Sequence, residues 1–87
     1  MVRSAAYGPT GDFPRGTRPD GVAGDKILLV KNLKFLRLTY QLRLLAFIAV
    51  SQRMTLVLIV PSACRFSPAL QALIQKNLKG VVVREPL

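Results

Sequence analysis

The chain has 87 residues, of which 13 are Lys or Arg and 4 are Asp or Glu, so its formal net charge is +9. This balance favours an anionic partner: nucleic acid, an acidic protein or an anionic membrane surface. The length suits one small domain. The sequence has no His and a single cysteine, Cys64, which excludes a His-based catalytic triad, a Cys/His zinc site and an internal disulfide framework.

The first part of the chain differs in composition from the rest. Residues 1–25 hold five of the six Gly and three of the six Pro residues. Such a content predicts turn-rich chain with one short hairpin, or a disordered basic arm. Asp20-Gly21 is a turn dipeptide between short extended pieces. We therefore divide the chain into an extended, turn-rich arm over residues 1–18 and an α/β domain over residues 19–87.

Residues 26–32 predict the first strand of the domain. The run is dense in Ile, Leu and Val and is bounded by turn signals, as in a strand buried on both faces. Because side chains alternate along a strand, Ile27, Leu29 and Lys31 share one face. Leu28 and Val30 are then expected to point the other way, into a core.

Residues 34–51 predict a helix. Apolar residues recur there at helical spacing, at Leu38, Leu42, Leu45 and Ala49. The polar positions of the first half form one stripe, at Lys34, Arg37 and Gln41. The second half, residues 44–50, is apolar all round, so this end of the helix is expected to be buried or covered by a partner.

The rest of the chain predicts a strand, a helix and a last strand. Residues 54–60 are an apolar run that Pro61 stops, and residues 81–83 are three valines. Between them, Ser67 suits a helix N-cap, Pro68 the first helical position and Gly80 the C-cap. The predicted inner face of this helix is Leu70, Leu73, Ile74 and Leu78.

Strands that alternate with helices predict an α/β fold with a small mixed sheet, mostly parallel, and helices packed on it. A Rossmann or P-loop nucleotide site is excluded, because the link from Lys31 to Leu33 has no glycine for a phosphate-binding turn. An integral membrane span is not expected, since Ser51, Gln52 and Arg53 interrupt the apolar residues around them, and a span needs ~20 apolar residues in a row.

An acid and a lysine flank the first predicted strand, as Pro19-Asp20-Gly21-Val22 and Leu29-Val30-Lys31-Asn32. With Leu38-Thr39, Gln41-Leu42-Arg43 and Ser67-Pro68, these pieces resemble the restriction-endonuclease-fold toxin domains. Those domains are a branch of the PD-(D/E)XK nuclease superfamily and occur at the C-termini of bacterial polymorphic toxins. The resemblance implies a restriction-endonuclease-like core, here lacking the usual first helix. It also implies a secreted or delivered bacterial effector that acts in the target-cell cytoplasm.

The resemblance further implies a metal-dependent nuclease that acts on nucleic acid, and DNA is the expected substrate. Asp20 would bind Mg²⁺ or Mn²⁺, Lys31 would position the attacking water, and Gln41 would line the site. The nucleic-acid-binding residues would be Arg18, Lys34, Arg37 and Arg43. An acidic cognate immunity protein is the protein partner that the resemblance implies.

One position departs from the family pattern in a way that bears on activity. The second metal-binding acid belongs two residues before the lysine, where this chain has Leu29, and a leucine cannot ligate a hard cation. Asp12 and Asp25 are the nearest spare acids, and Asp25 serves only if the chain turns back. The alternatives are therefore a nuclease with activity weakened or lost, a catalytically silent basic binding module of the same fold, and a small membrane-associated basic protein.

Overall fold

The computed structural model describes residues 17–78 and 80–87. In chain order they form strands β1 (Gly21–Ala23), β2 (Lys26–Val30) and β3 (Phe35–Leu36), helix α1 (Tyr40–Gln52), strands β4 (Thr55–Val60) and β5 (Arg65–Phe66), helix α2 (Pro68–Asn77) and strand β6 (Val82–Pro86). The predicted α/β fold with a small mixed sheet and packed helices is confirmed. The predicted arm over residues 1–18 lies outside the described residues except for Thr17 and Arg18.

The main sheet has four strands in the order β1-β2-β4-β6. Strand β1 is antiparallel to β2, whereas β2, β4 and β6 run parallel. Strands β3 and β5 form a separate two-stranded parallel sheet. The two crossovers, through α1 and α2, step across the main sheet in the same direction, and right-handed crossovers of this kind place both helices on one face.

The core lies between that face and the two helices. Ile27 and Leu29 of β2 are 0% and 1% exposed and belong to one cluster with residues of both helices. The prediction that Leu28 and Val30 point into the core was wrong, because the helices cover the opposite face. Leu28 is half-buried and Val30 is 40% exposed. Strand β2 is therefore not buried on both faces.

Helix α1 begins six residues later than predicted. Thr39 is its N-cap, and the Thr39 side chain accepts a hydrogen bond from the Leu42 N–H at 3.2 Å. Residues 35 and 36 are instead β3, held on β5 by backbone hydrogen bonds from Arg65 to Lys34 and from Ser67 to Leu36, of 2.8 and 2.9 Å. Lys34 and Arg37 are therefore not helical, and the predicted polar stripe does not form.

Helix α1 ends in a Schellman motif. Arg53 has a left-handed backbone, with φ of 56°, and its N–H donates to Val50 while the Met54 N–H donates to Ala49. Glycine normally occupies this position, because a side chain there strains the backbone. Arg53 is the one non-glycine residue with positive φ in the described part of the chain.

The predicted start of α2 is confirmed. Ser67 caps the helix by accepting a hydrogen bond from the Leu70 N–H at 3.2 Å, and Pro68 occupies the first turn. The predicted end is displaced, since Leu78 is the C-cap. Gly80 follows two residues later with φ of 81°. Cys64, the single cysteine, is 3% exposed and belongs to the core cluster.

A hairpin joins β1 and β2, as the composition predicted, but its turn is displaced. The turn lies at Gly24 and Asp25, where Gly24 has φ of 60°, and not at Asp20-Gly21. Asp25 therefore lies at the amino end of β2. Within residues 17–78 and 80–87, neither helix has the length and apolar content needed to cross a membrane.

Candidate functional site

Three parallel strands end at the same side of the main sheet, and in open α/β sheets this is where ligands bind. We call this side the carboxyl edge: the ends of β2, β4 and β6 and the segments that follow them. Because each helix runs antiparallel to the strands that it connects, the first turns of α1 and α2 also lie at this side. Neither first turn contains an acidic residue.

Asp20 lies at the carboxyl edge, one residue before β1. Its N–H donates to the Leu28 carbonyl at 2.9 Å, and Leu28 is also the register partner of Gly21. Asp20 and Gly21 thus both lie opposite Leu28, as in a β-bulge. A bulge changes the direction of a side chain from the one that regular alternation along the strand would give. The Asp20 Oδ2 atom accepts a hydrogen bond from the Val30 N–H at 2.7 Å. The carboxylate is therefore engaged with the end of β2.

Lys31 and Gln41 lie at the same edge as Asp20. The Lys31 N–H donates to the Ile59 carbonyl at 3.0 Å, which extends the β2–β4 ladder by one residue and fixes the lysine backbone. The Gln41 Nε2 atom donates to the Arg18 carbonyl at 3.1 Å and joins the first turn of α1 to the segment before β1. Four predicted site residues, Arg18, Asp20, Lys31 and Gln41, are thus brought to one edge.

The other acids do not join Asp20. Asp25 lies at the opposite end of β2, about 17 Å from Val30 at the rise of an extended strand. Glu85 pairs with Ile59, which pairs with Val30, so it is two strands and about 10 Å from Val30. Asp12 lies outside the described residues. Leu29, at the position of the second acid, is 1% exposed in the core.

These placements do not fit the magnesium site that the resemblance implies. Within the described chain, no three Asp, Glu, Cys or His side chains are close enough to hold a metal ion. Asp20 and Glu85 are the described side-chain carboxylates at this edge, but Glu85 lies two strands from Val30, and one Asp20 oxygen already accepts the Val30 N–H. Mg²⁺ favours oxygen ligands in octahedral geometry and is generally held by more than one anionic group.

Cations, in contrast, are concentrated at the carboxyl edge. Lys31, Lys34 and Arg37 lie in the connection between β2 and α1, and Arg18 lies beside it. All but the half-buried Lys31 are exposed. Among residues 17–78 and 80–87, no carboxylate pairs with these four side chains. Among the described residues, these four side chains form a basic group whose charge suits an anionic ligand.

Arg43 does not join this group. At 3.6 residues per turn, Arg43 is about 200° around the helix from Gln41. It borders an open groove of about 300 Å³ between α1 and α2, whose lining is otherwise apolar: Ala46, Phe47, Val50, Leu73 and Leu78. Phe47 and Val50 are 59% and 51% exposed, so the predicted apolar end of this helix is buried on one side only.

Sequence reasoning missed the role of Arg84. Its Nη2 atom lies 2.9, 3.0 and 2.7 Å from the carbonyl oxygens of Pro61, Ser62 and Cys64 and donates to them, and its guanidinium lies 4.8 Å from the Phe66 ring centre. Arg84 thus fixes the loop after β4, from which β5 continues. An arginine two residues into a short C-terminal strand gave no signal of this role.

Sequence reasoning also missed two exposed aromatic residues at the carboxyl edge. Phe35 on β3 is 47% exposed and Tyr40, the first residue of α1, is 70% exposed. In the sequence, Phe35 and Tyr40 lie close to Lys34 and Arg37, a pattern typical of a nucleic-acid-binding surface. The prediction of a helix over residues 34–51 gave this pattern no weight.

No protein-family model, curated protein or solved structure has significant similarity to the chain. The functional argument therefore rests on the geometry described above.

Proposed function

We propose that the domain binds nucleic acid at its carboxyl edge without cutting it. The observation that carries this proposal is the group of four cations at that edge, Arg18, Lys31, Lys34 and Arg37, none of which pairs with a carboxylate among the described residues. Lys and Arg neutralise phosphates and release counterions, which supplies affinity that does not depend on base sequence. The first turn of α1 adds a positive dipole end without an acid to oppose it.

The residues at the carboxyl edge also support binding without cleavage. Leu29 is part of the core, and Asp20 is the one described carboxylate beside Lys31. A phosphate there meets cations and N–H donors. Hydrolysis needs a group that activates water, and the described residues supply no metal-binding set for that purpose.

Salt dependence of binding tests the proposal. Four phosphate contacts predict a slope of about −3.6 for log K against log salt on duplex DNA, which is about a hundredfold loss of affinity between 50 and 200 mM salt. Fluorescence anisotropy of labelled DNA of random sequence measures it. Replacing Lys34 and Arg37 by Ala should reduce the slope by about 2 units.

The matched control is Lys76→Ala, which removes an exposed cation from the last turn of α2, far from the carboxyl edge. It should reduce the slope by much less than one unit. Absence of binding to both single-stranded and duplex DNA at low salt, or a slope that the edge variants leave unchanged, would show that the carboxyl edge is not a nucleic-acid-binding surface.

A metal-dependent nuclease of the toxin type is the second candidate. It is favoured by the placement of Asp20, Lys31 and Gln41 at one edge. Its further carboxylate would have to come from outside the described residues, where Asp12 is the acid available. Delivery into a target cell and an acidic immunity protein belong to this candidate.

Plasmid nicking in the presence of Mg²⁺ or Mn²⁺ separates the two candidates. The binding proposal expects intact supercoiled plasmid at every metal concentration. Metal-dependent nicking that Lys31→Ala and Asp12→Asn both abolish would establish the nuclease instead. Nicking that neither variant reduces would indicate a contaminating nuclease, which leaves the expectation of no intrinsic cleavage standing.

A further inference from the structure

The carboxyl edge carries aromatic rings as well as cations. Phe35 and Tyr40 are 47% and 70% exposed, although burial of such large rings is favourable. Lys34 and Arg37 lie between or beside them in the sequence, and both are exposed. At most about 17 Å of extended chain separates the Cα atoms of the two aromatic residues. Exposed rings and exposed cations therefore lie within one short stretch of chain at the carboxyl edge.

The small β3–β5 sheet holds one of these rings in place. Phe35 pairs with Arg65 and Leu36 pairs with Phe66. Because paired residues of neighbouring strands project from the same face, Phe35 and Arg65 lie side by side on the outer face, where both are exposed. Leu36, on the inner face, is 2% exposed. Backbone hydrogen bonds of 2.8 and 2.9 Å flank the β3–β5 sheet. Together with the buried inner face, they fix the backbone that carries Phe35 and Arg65 on the outer face.

We propose that the nucleic acid bound at this edge is single-stranded and that its bases stack on Phe35 and Tyr40. This inference rests on the proposed function and specifies its ligand. Bases in a duplex offer only their edges, whereas unpaired bases expose faces that stack on aromatic side chains. Cations beside the rings hold the phosphates of the same strand, and Arg65 adds a guanidinium next to the Phe35 ring.

The composition of α1 also favours a single-stranded ligand. Reading duplex DNA requires a helix or β-ribbon whose polar side chains enter the major groove. The outer side of α1 presents Phe47 and Val50, and the whole helix has one charged residue, Arg43. Helix α1 therefore offers no face that suits the edges of base pairs.

Binding of oligo-dT and oligo-U of about 15 nucleotides, compared with a duplex of equal length, tests the inference on the full chain. Both single strands should bind at least tenfold more tightly than the duplex in fluorescence anisotropy. Phe35→Ala and Tyr40→Ala should each weaken single-strand binding about fivefold or more, since stacking on one ring is worth that much per base. Tyr40→Phe should retain binding, because it keeps the ring.

Phe47→Ala is the matched control, since Phe47 is an exposed ring of α1 that lies in the groove between the helices. It should leave single-strand binding unchanged. Circular dichroism confirms that each variant is folded. Equal or tighter binding of the duplex, or aromatic variants that bind oligo-dT as the wild type does, would overturn the single-strand inference while the binding function stands. Failure to bind any of the probes at low salt would remove both.

Discussion

Leu29→Glu restores the acid that a PD-(D/E)XK site would have, and its effect on folding distinguishes a core position from a metal site. Leu29 is 1% exposed and packs in the core cluster. The substitution removes about 2 kcal/mol of apolar burial. It also places a carboxyl group where the described residues offer no metal-binding set. We therefore expect a large loss of stability with a marked pH dependence.

The pH dependence follows from the cost of a buried charge. Burial raises the pKa of the new carboxyl above the ordinary value of about 4.3 for glutamate. At pH 7, keeping it protonated in the folded state costs up to about 3.7 kcal/mol, and with the lost burial the total is about 5 to 6 kcal/mol. A domain of this size has about 4 to 13 kcal/mol of stability in all. The variant should therefore lose from about half to all of this stability at pH 7.

Urea denaturation followed by circular dichroism measures this effect, with Leu29→Gln as the neutral control of similar shape. Stability of the Glu variant relative to the Gln variant should be highest below about pH 4. It should fall by up to about 1.4 kcal/mol per pH unit as the pH rises towards the raised pKa, because the unfolded chain ionises first. A Glu variant as stable as the wild type at pH 7, or one that Mg²⁺ stabilises, would refute the core assignment and favour the nuclease.

Three further substitutions test other contacts, each by the same denaturation measurement. Arg53→Gly should stabilise the domain by about 0.5 to 1 kcal/mol, because glycine relieves the left-handed backbone at the end of α1; a loss would mean that the arginine side chain contributes more than the strain costs. Ser67→Ala should cost about 1 kcal/mol through the lost cap of α2, and Ser67→Asp, which keeps an acceptor, should cost less. Arg84→Met should cost about 1 to 2 kcal/mol, since methionine has no N–H to donate to the three carbonyls that Nη2 meets and no charge to place over the Phe66 ring; a neutral result would show that the loop holds without these contacts.

Signals that act within a few residues located β4 and the start of α2, although they did not indicate β5. Ser67 and Pro68 mark the start of α2, and Pro61 ends the apolar run of β4. The order of the predicted strands and helices follows from these local patterns. The same local patterns placed Lys31 at the end of a strand, where its N–H donates to the Ile59 carbonyl of β4.

The start of α1 required information that lies far away in the sequence. Phe35 and Leu36 pair with Arg65 and Phe66, thirty residues later. Helical spacing of the later leucines extended the predicted helix backwards over residues that a distant strand recruits. Thr39 is a good N-cap, and giving it more weight would have corrected the boundary.

The direction of the β2 side chains required knowledge of topology. Residues 27–30 are all apolar, so the sequence does not distinguish the face with Ile27 from the face with Leu28. Which face of β2 is buried depends on the direction of the two crossovers. Both step the same way across the sheet, and both helices therefore lie over Ile27 and Leu29. This topology is also what makes Leu29 a core residue and not an open position of the edge.

The environment of Asp20 bears on which kind of ion the carboxyl edge suits. An acid beside a strand end resembles half of a metal site, but the hydrogen bond from the Val30 N–H gives this carboxylate a structural role that requires no metal. Arg18 precedes it by two residues, and Lys31 directly follows Val30. A divalent cation at Asp20 would therefore be repelled by cations close to its single carboxylate, whereas a phosphate would be attracted by them. The electrostatics of the edge thus favour an anionic ligand over a resident metal ion.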